Sequence, residues 1–350
     1  MFVREVVTGQ REGRPVRYAQ IVSSYRNAQG KPRHRVVLAL GRVDRLDRAL
    51  LRDMVRALAR YLGDDENLVR PRVEEVRELG LPWAVHSVWK RLSLPDHLAL
   101  EARRHGLAPE TEHVLFAQVL RTVACGGDAA RADRWLRCEA YAKTPDGWTI
   151  PHDGDADELL AQAGPELERT LFLRRSIADG RLHAASLDLP SELPRCAVAC
   201  DANGVPLATQ VARGADALGR RLHRRLREMG AREVLWGRDE EGGEVFPSPV
   251  HRTVGRVRRA VGASVGTGSV DVEGTRARLT AALLAALVVR QLELDTGLPF
   301  EAVRERLRRL HAVALHDGCT TRWESAAPSP EASEVLRAVG LDAVPRVLCG

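Results

Sequence analysis

Residues 16–25 alternate apolar and polar positions, the period of a strand with one covered face. A shorter β-rich run over residues 2–8 precedes it, separated by the turn of residues 9–14. The polar turn Asn27-Ala28-Gln29-Gly30-Lys31-Pro32 leads to a third strand over residues 34–40, and Gly41 closes a small antiparallel sheet. The period then lengthens. Leu46, Leu50, Leu51, Met54, Val55, Leu58 and Leu62 recur at helical spacing, with Asp44 or Asp47 placed to cap the helix start. Residues 63–80 read as a charged linker.

Helical spacing returns over residues 82–92, 110–125, 130–141 and 155–173, punctuated by Gly126-Gly127 and Thr144-Pro145-Asp146-Gly147. Trp83, Trp89 and Trp135 read as helix-packing core rather than a base-stacking platform. From Arg181 the pattern becomes strands followed by a helix and a further strand. Residues 182–187 and 196–200 are strands, and Asp201-Ala202-Asn203-Gly204 supplies an Asn-Gly hairpin turn. Residues 205–211 form the returning strand, 216–229 a strongly basic helix, and 233–236 a strand that leads to Asp239. Residues 242–268 lose regular pattern and hold a basic cluster, His251, Arg252, Arg256, Arg258 and Arg259. Helices are expected over 275–294, 299–313 and 329–339, followed by a tail.

The fold class is therefore mixed α/β. Four regions are expected: a sheet-and-helix module over 1–62, a helical region over 80–178, an α/β core over 179–245, and C-terminal helices over 270–350.

Composition narrows the function. Hydrophobic residues make up 44% of the 350 positions and charged residues 29%, an ordinary globular balance. The longest apolar run, residues 279–289, is too short to span a bilayer, and the first residues lack a signal-peptide core, so a cytoplasmic protein without membrane association is expected. The six scattered cysteines lack zinc-ligand spacing and read as reduced structural thiols. Net charge is +6 with lysine only at positions 31, 90 and 143, an arginine skew that resembles GC-rich codon bias. Its distribution says more. Residues 1–60 hold fourteen Arg/Lys against five acids, net +9, which leaves the other 290 residues at −3. Cations concentrated in the first module favour phosphate contact. His152-Asp153-Gly154-Asp155-Ala156-Asp157 lacks the glycine and the closing acid of a calcium loop. Residues 262–268 lack the Gly-Lys-Ser/Thr of a phosphate loop.

The opening forty-six residues resemble the N-terminus of bacterial DDE insertion-sequence transposases (insertion sequence 4-like). Tyr18, Gln20, Ser24, Tyr25 and Arg26 carry the first run of that resemblance. Gly30, Lys31, Pro32, Arg33 and Arg35 carry the second, and Gly41 and Asp44 the third. Residues 130–136, 192–217 and 233–239 are similar to the middle region and the RNase H-like core of that family, and residues 286–293 and 296–313 to its C-terminal end. The resemblance implies double-stranded DNA at the element ends as partner, contacted by Arg14, Arg17, Arg26, Lys31, Arg33 and Arg35, and it allows a homodimer. It also implies three carboxylates that hold two Mg²⁺ ions for in-line phosphodiester displacement. Asp188 and Asp239, each at a strand end, stand in the metal-binding positions. Glu273 is the nearest third carboxylate, with Glu244 as the alternative.

The core departs from the family pattern. Asp188 is followed by Leu189-Pro190-Ser191 instead of hydroxyl residues, the segment after it is short, and no Glu-x-x-Phe-Arg-x-x-Lys pattern follows Asp239. The expectation is a shortened or degenerate transposase that binds insertion-element DNA with impaired catalysis. The alternative is an active Mg²⁺-dependent enzyme that cuts and rejoins strands.

Overall fold

The computed structural model describes residues 2–11, 14–27, 29, 31–62, 71–154, 156–174, 180–237, 246–263, 271–316 and 321–348. They form two compact units, Met1–Pro71 and Arg72–Gly350. Asp239 and Glu244 lie outside the described residues.

The first unit is an antiparallel sheet of β1 (Phe2–Arg11), β2 (Arg14–Arg26) and β3 (Pro32–Arg42), in that order, followed by helix α1 (Arg48–Leu62). Asp47 caps α1, its Oδ1 accepting from the backbone N–H of Ala49 at 2.8 Å and of Leu50 at 3.3 Å. Asp44 instead pairs with Arg42 at 2.6 Å. Ala19 and Val22 are the buried apolar residues among this unit's described positions. Leu50, Met54, Val55, Leu58 and Tyr61 of α1 are all exposed.

The second unit opens with β4 (Arg72–Glu78), a strand in the stretch that the sequence presents as linker. Val73 and Val76 are exposed, so no buried face marks this strand in the sequence. Its partner is β9, far along the chain (Arg72 pairs with His316), and that pairing is what fixes it. Helices α2 (Gly80–Arg91), α3 (Leu94–Arg104), α4 (Thr111–Cys125) and α5 (Ala129–Arg134) follow. The helix expected over 130–141 passes after Arg134 into a wider π-type turn, Trp135–Glu139, and ends at Ala140 in extended backbone. The three tryptophans are core. Trp83, Trp89 and Trp135 are buried, and their indole N–H groups donate to Lys143 O, Glu112 Oε1 and Glu78 Oε2 at 2.9, 2.6 and 3.0 Å.

Beyond α6 (Asp157–Arg174) lies the four-stranded sheet: β5 (Arg181–Leu187), β6 (Arg195–Cys200), β7 (Pro206–Ala212), helix α7 (Ala215–Met229) and β8 (Glu233–Gly237). Its order is β7-β6-β5-β8; β5, β6 and β7 are antiparallel neighbours, and β8 returns through α7 to lie parallel to β5. Alternate residues serve opposite faces. Ala184, Ala197 and Ala199 share a core with Leu218, Leu222 and Leu226 of α7. Ala185, Leu187, Cys196, Val198 and Cys200 face the other way, against α8 (Ser248–Ala263) and α9 (Val272–Thr296). Helix α8 occupies the stretch expected to be irregular; Val250, Val254, Val257 and Val261 form its buried stripe.

The hairpin turn expected at Asp201–Gly204 joins β6 to β7. Buried Asp201 accepts from the N–H of Val205 at 2.8 Å, and Thr253 Oγ1 of α8 donates to Gly204 O at 2.6 Å. Gly204 has φ +73°, and a Cβ there would stand 2.5 Å from the Pro249 carbonyl, so both backbone and space require glycine.

After α10 (Phe300–Leu307) the chain forms β9 (His311–His316), β10 (Thr321–Ser325), α11 (Pro330–Ala338) and β11 (Val347–Leu348). The helix expected over 299–313 thus ends early, because Leu310 O is held by the N–H groups of Leu79 and Gly80 and its chain is drawn into the sheet β11-β10-β9-β4. Among the described residues no helix is long and apolar enough to cross a membrane, and Cys125, Cys138, Cys196 and Cys200 are free thiols.

His86 is buried on α2, edge-on to Phe116 and Trp148 at 5.5 and 5.7 Å, with Asp146 at 3.7 Å. Burial pushes its imidazole down to about 4, and Asp146 only partly opposes this. The neutral ring is therefore the folded form. Its stabilising contribution is complete above the unfolded value of 6.5 and is lost as pH falls towards 4, a change of at most ~3 kcal/mol. Burial of Glu112, which raises its carboxyl, acts in the opposite sense. Urea unfolding of the protein and of His86→Gln at each pH separates the two: the difference between them should shrink steadily from pH 6.5 to pH 4.

Candidate nucleic-acid interface and carboxylate site

The first unit presents its cations on strands. Strand β2 is regular, while the register irregularities consist of extra residues on β1 and β3. Alternation along β2 therefore sets Arg17, Ser23 and Tyr25 on one face, and the pairs Tyr25↔Arg33 and Ser23↔Arg35 add both arginines to it. All three arginines and Tyr25 are exposed. Arg17 lies 3.6 Å from Glu5 across the sheet, a surface pair of low strength. Arg26 and Lys31 stand at the β2–β3 turn, where Asn27 Oδ1 accepts from the N–H groups of Gln29 and Lys31 at 3.1 and 2.9 Å. Arg14 begins β2. Of the six cations expected to meet DNA, three share one face and two sit at one end of the hairpin.

In the second unit the described candidate acids, Asp188 and Glu273, belong to one end of the four-stranded sheet. Asp188 follows the last residue of β5 and is exposed. Strand β8 is parallel to β5 with Ala185↔Gly237 as its last pair, so both strands finish at this end. Helix α9 packs along β7, the strand paired with β6. Arg278, on its second turn, is close enough to Cys196 to act on that thiol, and Cys196 is paired with Leu187. Near its other end Arg290 Nε donates to Asn203 O in the distant hairpin turn at 2.6 Å. The N-terminal turn of α9, with exposed Glu273, thus belongs to the same end of the sheet as Asp188.

The described residues do not assemble a metal centre there: they hold no group of three His, Cys, Asp or Glu side chains that could bind an ion. Helix α8, between β8 and α9, carries no acid. The paired thiols on β6 offer no nucleophile. Burial pushes Cys196 up to about 12 and raises Cys200 further.

Residues 3–69 match the family model for the N-terminal domain of IS1634 family transposases. The match spans β1, β2, β3 and α1, the elements that carry the exposed cations, and supports an insertion-sequence transposase. No curated relative and no solved structure matches the chain.

Proposed function

We propose that this chain acts as an insertion-sequence transposase-type protein that binds double-stranded DNA through residues 1–62, with impaired strand cleavage. The observation that carries the reading is the coincidence of the matched segment with the cationic strand face of Arg17, Arg33 and Arg35. Guanidinium groups on an exposed sheet meet phosphates by charge-assisted hydrogen bonds, and release of condensed counterions makes such binding steeply salt-dependent. The sheet order with β8 parallel to β5 supports descent from an RNase H-like core, since it sets two strand ends and the start of a helix side by side. The departures from the family pattern after Asp188 and after Asp239 in the sequence support loss of catalysis.

The full chain is titrated with duplex DNA carrying the element's terminal repeats and with unrelated duplex, between about 50 and 200 mM salt. Binding that weakens steeply with salt is expected, without Mg²⁺-dependent nicking. Absence of binding overturns the DNA reading. Nicking that Asp188→Ala abolishes overturns the impaired-catalysis reading and establishes the active enzyme instead.

A further inference from the structure

Four arginines of the second unit converge on a cavity of about 240 Å³ that lies between helices. Arg131 comes from α5, Arg256 and Arg259 from α8, and Arg304 from α10. The floor is apolar and shallow because α9 contributes Ala282, Ala285 and Ala286 there, with Phe300 at the side.

The pairing of these arginines sets the cavity apart. Arg256 Nη2 donates to Glu293 Oε1 at 2.5 Å, and Glu293 is further held by Arg290 and by the N–H of Phe300. That carboxylate anchors the Arg256 guanidinium but leaves its Nη1 buried without a partner. The guanidinium groups of Arg131, Arg259 and Arg304 make no ion pair with any described residue. Glu301, exposed at the rim, is the one acid among the described lining residues. A buried orphan donor and three unpaired cations around an apolar floor call for a ligand with several acceptor oxygens and a flat or apolar remainder. The volume lies below the ~300–1,000 Å³ of sites for drug-sized molecules, so it suits one small unit and excludes a duplex.

We infer that this cavity binds a single nucleotide unit, its phosphate against Arg256, Arg259 and Arg304 and its sugar or base over the alanine floor. The unit can come from a free nucleotide or from one residue of a single strand. This site is remote in sequence from residues 1–62, so it stands or falls separately from the proposed duplex contact.

The test is calorimetric titration of the full chain with inorganic phosphate, a deoxynucleoside 5′-monophosphate and a single-stranded trinucleotide. Arg259→Ala, Arg259→Lys and Arg304→Ala are compared with the unaltered protein, and circular dichroism checks the fold. The monophosphate should bind more tightly than phosphate alone, and each alanine variant should weaken it about tenfold, as removal of one charge-assisted hydrogen bond implies. Arg259→Lys should recover part of the loss. A trinucleotide that binds more tightly than the monophosphate identifies the strand as source, and one that binds less tightly identifies the free nucleotide. No saturable binding, equal affinity for phosphate and monophosphate, or binding unmoved by Arg259→Ala and Arg304→Ala would overturn the inference.

Discussion

Glu168→Ala is expected to lower the stability of the second unit by ~3 kcal/mol, seen as a fall in Tm on the order of 5–10 °C. Glu168 is 2% exposed on α6. Its Oε2 accepts from the N–H of Thr209 at 2.8 Å and its Oε1 from Thr209 Oγ1 at 2.5 Å, which ties α6 to β7. Arg225 of α7 lies 3.0 Å from the same carboxylate, and its guanidinium also donates to the carbonyls of Thr209 and Pro165 at 3.0 Å. One carboxylate therefore joins two helices to the sheet's edge strand. Burial raises its carboxyl, and Arg225 and Thr209 offset only part of that. Truncation leaves two buried donors of Thr209 and part of one guanidinium without an acceptor, and such groups are costly when unmatched. Glu168→Gln keeps the shape and one acceptor and should cost less. If Glu168→Ala melts with the unaltered protein, the carboxylate is not what holds α6, β7 and α7 together.

The combined variant Arg17→Ala, Arg33→Ala, Arg35→Ala should weaken duplex binding by about 10²–10³ at physiological salt. It should also lower the slope of log affinity against log salt by about 3, one for each phosphate that an arginine no longer neutralises. The three side chains share a strand face, so they can meet one backbone at once. Single substitutions should each lower the slope by about 1. Arg17→Ala should cost the least, because Glu5 already competes for that guanidinium at 3.6 Å. Fluorescence anisotropy with labelled duplex measures both quantities. An unchanged slope in the triple variant would move the DNA contact away from this face.

The first three strands, α1 and the β-β-β-α-β order of the core were legible because each has a local cause. Alternation marks β2, the Asn-Gly turn sets the β6–β7 hairpin, and regular apolar spacing marks α1. The strands β4 and β9 were not legible. They hold each other from opposite ends of the second unit's chain, and the exposed valines of β4 give no one-sided pattern. Helix α8 shows a different failure. Its valine stripe has helical spacing, but its valines and glycines weaken the local helical preference, and packing on β5 and β6 reveals the helix. For the candidate sites, sequence could nominate Asp188 and the N-terminal arginines by resemblance. It could not bring Arg131, Arg256, Arg259 and Arg304 to one cavity, because their meeting depends on how α5, α8 and α10 pack on α9.

Among the described residues of the first unit, Ala19 and Val22 are the buried apolar ones, while Leu50, Met54, Val55, Leu58 and Tyr61 of α1 are open to water. A domain of this size is already near the limit of what burial alone can hold together. Its backbone amides should exchange with deuterated solvent far faster than those of β5, β6 and β7, through openings that leave the second unit intact. A ligand that binds only the closed form would then act as a fastener: saturating duplex at about 100 times its Kd adds ~2.7 kcal/mol to the closed form and slows that exchange about a hundredfold.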